Sequence, residues 1–397
     1  MNVRIKSGIL LMLLISGYAS FSQDLRNDTS LVQHLMARIF YLQQNHEKDF
    51  PVGLIPSYRE YHHNKGVIKN DDNIFFTGLV VFTLHSLHPF LDKTSLAICD
   101  SIIDHATPLY TTYQNRKGRP TYNFWRTDIP EIFPNSGWLN LFNKSQALPD
   151  DLDDTVILLL ASNSPDSTAA QVHNLMQGYT NNTLKSVNSS LADYKNMEAY
   201  STWFGEKMPV DLDFCVLTNI LFMIHKYQLA YTAADSASLD LLCTVVEKRH
   251  YMNEASIVSP HYNRTPVLLY HLSRLMAETK ITVLEKWKPQ LILDATASYK
   301  KATNFLDKVI LSTALMRWGV KLPDDTIRTD TEMEAFIENN DFVFFIANIT
   351  SMLPRPFNTW LGKTGIGTFS YYCPAWNYTL LLENIVWRKR LENFISD

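Results

Sequence analysis

Charge is scarce in this sequence. Asp, Glu, Lys and Arg make up 19% of its 397 residues, against roughly 25% in ordinary soluble domains. The formal net charge is −4, so there is no basic surplus and nucleic acid is not an expected partner. Cysteine is scarcer still. Cys99, Cys215, Cys243 and Cys373 stand far apart, each in an apolar segment, with no Cys-x-x-Cys spacing. That excludes a disulfide scaffold and the common zinc and redox motifs, and buried free thiols are expected. Their disulfide state is left open. No Gly-x-Ser-x-Gly, His-Glu-x-x-His or phosphate-binding Gly-Lys-Ser/Thr loop occurs. Gly362-Lys-Thr-Gly-Ile-Gly367 holds the right residue types in the wrong order for a phosphate loop and reads as a flexible loop. Beyond the first 22 residues no apolar run approaches the roughly 18 residues of a membrane span.

Apolar residues, at 46%, and aromatics, at 12%, are plentiful. So apolar a chain can form a large core, and disorder is excluded as its main state. Its first residues have a tripartite pattern: a basic start at Arg4 and Lys6, an unbroken apolar run from Ile9 to Ile15, then Ser20-Phe-Ser22 as a small-residue cleavage site. This is the layout of a secretory signal peptide. Residues 1–22 are therefore expected to be removed, and 23–397 to be exported, periplasmic or secreted, as one domain with no transmembrane segment.

Glycines number only 13, and strand-like alternation is rare. Long segments instead carry apolar residues at three- and four-residue spacing, which is helical. Two kinds of helix alternate. Amphipathic ones are expected at Thr29–Gln44, Lys93–Leu109, Ser167–Gly178, Ser236–Lys248, Leu291–Asn304 and Thr331–Phe345. Nearly wholly apolar ones are expected at Ile74–Leu87, Asp153–Ala161, Asp213–Tyr227, Pro266–Met276, Leu306–Trp318 and Pro374–Val386. A helix apolar on every side must be buried on every side. The expectation is an all-α fold, an (α/α)6 toroid of six inner helices wrapped by six outer ones. An open solenoid is the alternative. Three long connections, 109–150, 179–208 and 353–373, lead into inner helices and should gather at one mouth. They carry Tyr122, Phe124, Trp125, Trp138, Trp203 and Tyr372.

The sharpest feature is Leu148-Pro-Asp-Asp-Leu-Asp-Asp-Thr155, directly before an apolar helix. One Asp, or two, would cap the helix. Four crowded carboxylates exceed that need, and not all can ionise freely. A carboxylic acid kept protonated in an apolar setting is a general acid. The same cluster could instead ligate a divalent cation, although no cofactor is called for. Pro209-Val-Asp211-Leu-Asp213 repeats the pattern before the next inner helix. In the helix that follows, His271 reads as a core histidine before it reads as a site.

Asp151-Leu-Asp-Asp-Thr155 resembles the Asp-x-Asp-Asp-Thr motif of class II terpenoid cyclases. That superfamily shares the (α/α)6 toroid with protein prenyltransferases. The resemblance implies that Asp153 protonates an alkene or epoxide of an apolar isoprenoid, in an isomerase reaction, with Asp151 and Asp154 in support. It also implies that aromatic faces stabilise the resulting carbocation. Read from the residues alone, two alternatives stand beside this. One is an exported glycan-processing enzyme, a glycoside hydrolase or polysaccharide lyase, pairing the 151–154 carboxylates with Asp211 or Asp213. The other is a non-catalytic module binding a small apolar or glycan ligand. Neither substrate nor oligomeric state is legible.

Overall fold

The structure is a computed structural model, and it describes residues 28–45, 49–63, 65–129, 149–183, 185–205, 208–322, 331–338 and 341–396. The segment expected to be a signal peptide, 1–22, and Trp138 lie outside these residues.

Twelve of the described helices alternate along the chain. Six fall in the segments expected to be amphipathic: α1 (Asp28–Gln44), α3 (Lys93–Ala106), α5 (Asp166–Met176), α7 (Ala233–Glu247), α9 (Lys288–Lys301) and α11 (Thr331–Glu338). The other six are α2 (Phe75–Leu87), α4 (Leu152–Ala161), α6 (Phe214–Lys226), α8 (Thr265–Glu278), α10 (Phe305–Arg317) and α12 (Pro374–Ser396). Every residue of α4 is buried, as is α6 from Phe214 to Ile224. By contrast α3 buries a single stripe, Ser95, Cys99, Ile102 and Ala106. Local chemistry sets the helix starts. Asp92 caps α3, Thr232 and Asp235 form a reciprocal capping box on α7, and Asn304 caps α10.

The even-numbered helices pack in sequence, α2 on α4, α4 on α6, α6 on α8, α8 on α10 and α10 on α12, and α12 packs back on α2. Their N-terminal ends meet the long connections. Tyr122 bridges Asp151, which bridges Trp203, and Asn358 Nδ2 reaches the Ser189 carbonyl at 3.0 Å. Residues near their C-terminal ends, among them Phe82, Leu160, Phe222 and Glu278, wall a cavity of about 850 Å³ at the other end. Among the described residues no helix is long and apolar enough to cross a membrane. All four cysteines are free thiols, with Cys99, Cys215 and Cys373 buried.

Two expectations need correction. The fold is mostly helical but not all-α. Strands β1 (Ser57–Tyr61), β2 (Ile68–Asp71), β3 (Phe345–Asn348) and β4 (Thr368–Tyr372) form an antiparallel sheet in the order β2-β1-β4-β3. Each strand has only four or five residues, too few to show a two-residue period against the surrounding loops. Gly365 and Gly367 lead into β4 at φ +73° and +69°, where a side chain would be strained. The second correction concerns the segment expected to be one helix, Thr331–Phe345. Its helix ends at Glu338, and Phe345 opens β3. Asn339-Asn340-Asp341, between them, are turn-favouring residue types.

Gly78 marks the tightest approach of α2 to α4. A Cβ there would stand 3.0 Å from both Ile157 Cγ2 and Leu158 Cδ2. Gly78→Val should therefore lower stability by about 1–3 kcal/mol through overpacking, measured as a reduced urea midpoint. An unchanged midpoint would show that the two helices can part at no cost.

Candidate functional site

The acidic run divides into four different roles. Asp150 accepts hydrogen bonds from Arg119 (3.1 Å), Asn115 (2.6 Å) and Thr121 (2.5 Å), which compensate its buried charge. Asp151 is the N-cap of α4, its Oδ1 accepting from the Asp154 N–H at 2.7 Å. Thr155 fastens the incoming loop to the helix: its hydroxyl donates to the Asp151 carbonyl (2.6 Å) and accepts from the Tyr122 N–H (3.0 Å). Capping therefore accounts for Asp151, and Arg119 for Asp150. It accounts for neither Asp153 nor Asp154.

Asp153 is buried and turned toward α6 and the segment before α8. Asn219 Nδ2 donates to its Oδ1 at 2.7 Å, and the Tyr262 hydroxyl donates to its Oδ2 in a short bond. Arg274 donates to Asn219 Oδ1 at 2.6 Å. A guanidinium only donates, so it fixes which end of the Asn219 amide faces Asp153. Burial pushes Asp153 up to about 6, although Tyr262 and Asn219 favour its charged form. Burial raises Asp151 too, to about 7. Burial and the adjoining Asp151 hold Asp154 well above the ordinary carboxylate range. Its Oδ1 is buried without a hydrogen-bond partner, as fits a carboxyl that keeps its proton.

The second acidic pair also divides. Asp213 caps α6 through Cys215 N–H (2.8 Å) and Val216 N–H (3.2 Å), and further accepts from the Ser259 hydroxyl (2.6 Å) and the His261 N–H (2.9 Å). Asp211 instead pairs with His261, Oδ2 to Nε2 at 2.7 Å. Burial pulls the His261 imidazole down, but Asp211 and Asp213 outweigh it and leave the ring at about 9.

Aromatic rings gather around Tyr262. Its centroid lies 6.3 Å from Phe75, 5.9 Å from Phe344 and 5.6 Å from Phe345. Phe345 is central, touching Phe75 (5.0 Å), Phe124 (5.7 Å), Tyr371 (5.5 Å) and His261 (6.1 Å, stacked). Of the aromatics expected to form a site, Phe124 is in this cluster. Trp125 packs beside Phe124 and is tied through Nε1 to Asp71 at 3.0 Å. Trp203 stands edge-on to His261 at 6.1 Å, its Nε1 buried and unpartnered. Tyr122 contributes through its backbone. Tyr372 is turned elsewhere: its hydroxyl donates to Glu60 at 2.9 Å. Neighbouring strand residues face opposite sides, so Tyr371 takes the place expected of Tyr372. His271 is a neutral core residue, held well below its ordinary value by burial and packed on Phe344.

Asn219, His261, Tyr262 and Phe345 carry much of this geometry. Sequence reasoning missed them because their partners lie tens of residues away: Tyr262 meets Asp153 across 109 positions. Among the described residues no group of three or more His, Cys, Asp or Glu side chains is arranged to hold a metal ion. Asp153 lines neither the 850 Å³ cavity nor a second one of about 350 Å³ that Asp211 borders.

The sequence matches no known protein family and no curated protein. The fold is similar to that of a variant of the type II terpene cyclase MstE from Scytonema, solved in complex with its substrate, geranylgeranyl dihydroxybenzoate. The TM-score is 0.51 at 10% identity, covering 92% of this chain and 100% of that one. At so low an identity the likeness is one of fold alone.

The raised acids imply a pH dependence. Asp153, up at about 6, binds its proton more tightly folded than unfolded. Its stabilising contribution is complete below about pH 4 and is lost as pH rises through about 6. His261, up at about 9, contributes below about pH 6.5 and loses that contribution as pH rises through 9. Asp153→Asn should flatten the urea-derived stability profile between pH 4 and 7 by about 2 kcal/mol. It should leave the alkaline limb in place. Identical profiles for the two proteins would refute the buried-acid assignment.

Proposed function

We propose that this chain is a terpenoid-cyclase-like isomerase in which Asp153 is the Brønsted acid. In this reading the closed packing of the six even-numbered helices is the inner ring of an (α/α)6 toroid. The toroid forms one domain, 23–397, exported after loss of 1–22. The observation that carries the proposal is the setting of Asp153: a buried carboxyl raised to about 6, next to aromatic rings, in a fold shared with a type II terpene cyclase. The substrate class is an apolar isoprenoid chain, such as the geranylgeranyl chain that the neighbour binds.

The chemistry follows from the hydrogen bonds. The Asp153 O–H bond breaks as its proton adds to one carbon of a C=C bond, leaving a tertiary cation at the other. The π electrons of the next double bond attack that cation and close a ring. Tyr262 and Asn219 stabilise the carboxylate left behind, because both bonds strengthen as charge develops on it. Faces of Phe75, Phe124 and Phe345 attract the travelling cation. Loss of a proton ends the sequence, so the product is an isomer of the substrate. The hydrolase alternative fares worse. Asp213 is spent on capping and Asp211 on His261, so neither is free to act as a second carboxylate opposite Asp153.

Incubation with geranylgeraniol and with a geranylgeranylated phenol, followed by mass spectrometry, should yield cyclised products of unchanged mass. Asp153→Asn should lower the rate by about 10²–10⁴-fold without unfolding the protein. Turnover by that variant at the wild-type rate would sink the proposal.

A further inference from the structure

The cavity of about 350 Å³ lies on the far side of β3 from the aromatic cluster. Strand alternation makes β3 the partition. Phe345 packs among the rings around Tyr262, and the next residue, Ile346, lines the cavity. Asp211 borders the cavity and His261, its partner, stacks on Phe345, so the two sides share a wall.

The cavity offers many hydroxyl and amide groups beside a smaller set of apolar residues, Leu212, Ile257, Pro260 and Ile346. Ser189, Ser190 and Thr368 line it and are 8%, 5% and 5% exposed. The Thr368 hydroxyl is buried with no partner. An unmet buried hydroxyl carries a desolvation cost, which a ligand hydroxyl would offset. The serines are held in place by the segment opposite, where Arg355 N–H bonds the Asn188 carbonyl (3.4 Å) and Asn358 the Ser189 carbonyl (3.0 Å). Among the described residues the cavity is lined by two carboxylates, Asp211 and Glu254, and one ammonium, Lys363, and Asp211 is already paired with His261. A phosphate would meet two carboxylates for one lysine. A free cation would have to compete with His261 for Asp211. Among the described residues no Phe, Tyr or Trp lines the cavity to hold a purely apolar ring.

We propose that this cavity binds a neutral ring bearing several hydroxyl groups, held by Ser189, Ser190, Thr368 and Asp211. Its volume, near the lower end of the range for small-molecule sites, suits one or two rings. A sugar and a polyhydroxylated aryl group share this chemistry.

The test uses the full chain with methyl-labelled isoleucine, because Ile257 and Ile346 both line the cavity. The probes are methyl glucoside, resorcinol, phenyl phosphate and toluene. At least one of the first two should shift both methyl signals saturably, about tenfold more tightly than phenyl phosphate or toluene. Which of them binds separates a sugar from an aryl ligand. Ser190→Ala and Thr368→Val should each weaken that binding by about fivefold. Asp153→Asn should leave it unchanged, so loss of turnover and loss of this site are read separately. The inference fails if neither hydroxylated probe moves the signals, if phenyl phosphate or toluene binds as tightly, or if both variants keep full affinity.

Discussion

A carboxyl group taken out of water must either keep its proton or be met by donors. That constraint governs the N-terminal end of α4. Four carboxylates occur within five residues there, all of them buried. Each meets the constraint differently. Asp150 has a guanidinium, Asp151 has a helix N–H, Asp154 keeps a proton, and Asp153 has a phenol and an amide. The last arrangement serves both protonation states. The two donors favour the charged form while burial favours the neutral one, so the group is poised near neutrality.

The poise at Asp153 depends on parts far along the chain. Asn219 comes from α6, Tyr262 from the segment entering α8, and Arg274 from α8 itself. Arg274 stacks over Phe82 of α2 at 5.1 Å while its nitrogen holds Asn219. Helix packing therefore sets the orientation of an amide, and the amide sets the environment of the acid. The small sheet completes the surroundings. β3 and β4 bring Phe345 and Tyr371 against Phe124, and the buried ion pair of Arg59 and Asp71 ties β1 to β2 and, through Trp125, to the loop before α4.

Legibility in the sequence followed the range of the interactions. The alternation of apolar and amphipathic helices was readable because each helix writes its burial into a 3.6-residue period. The acidic run was readable because crowding is local, and so was its position before an apolar helix. Strands of four or five residues left no period to read, so the sheet was missed. The helical spacing of Thr331–Phe345 runs on to Phe345, which begins a strand. Nothing local says which of the adjacent Tyr371 and Tyr372 packs on Phe124. His261 and Tyr262 lie in Ser259-Pro-His-Tyr262, a stretch without periodicity or motif, and only the closed packing of the helices brings them to Asp153 and Asp211.

The central claim is that Asp153 is a buried acid that titrates near neutrality. Difference infrared spectroscopy of the wild type against Asp153→Asn reads this directly through the carbonyl band of a protonated carboxyl. The band should grow in as pH falls through about 6, at a frequency shifted by the Tyr262 and Asn219 bonds. A band appearing only below about pH 4, the value of an ordinary exposed aspartate, would contradict the account.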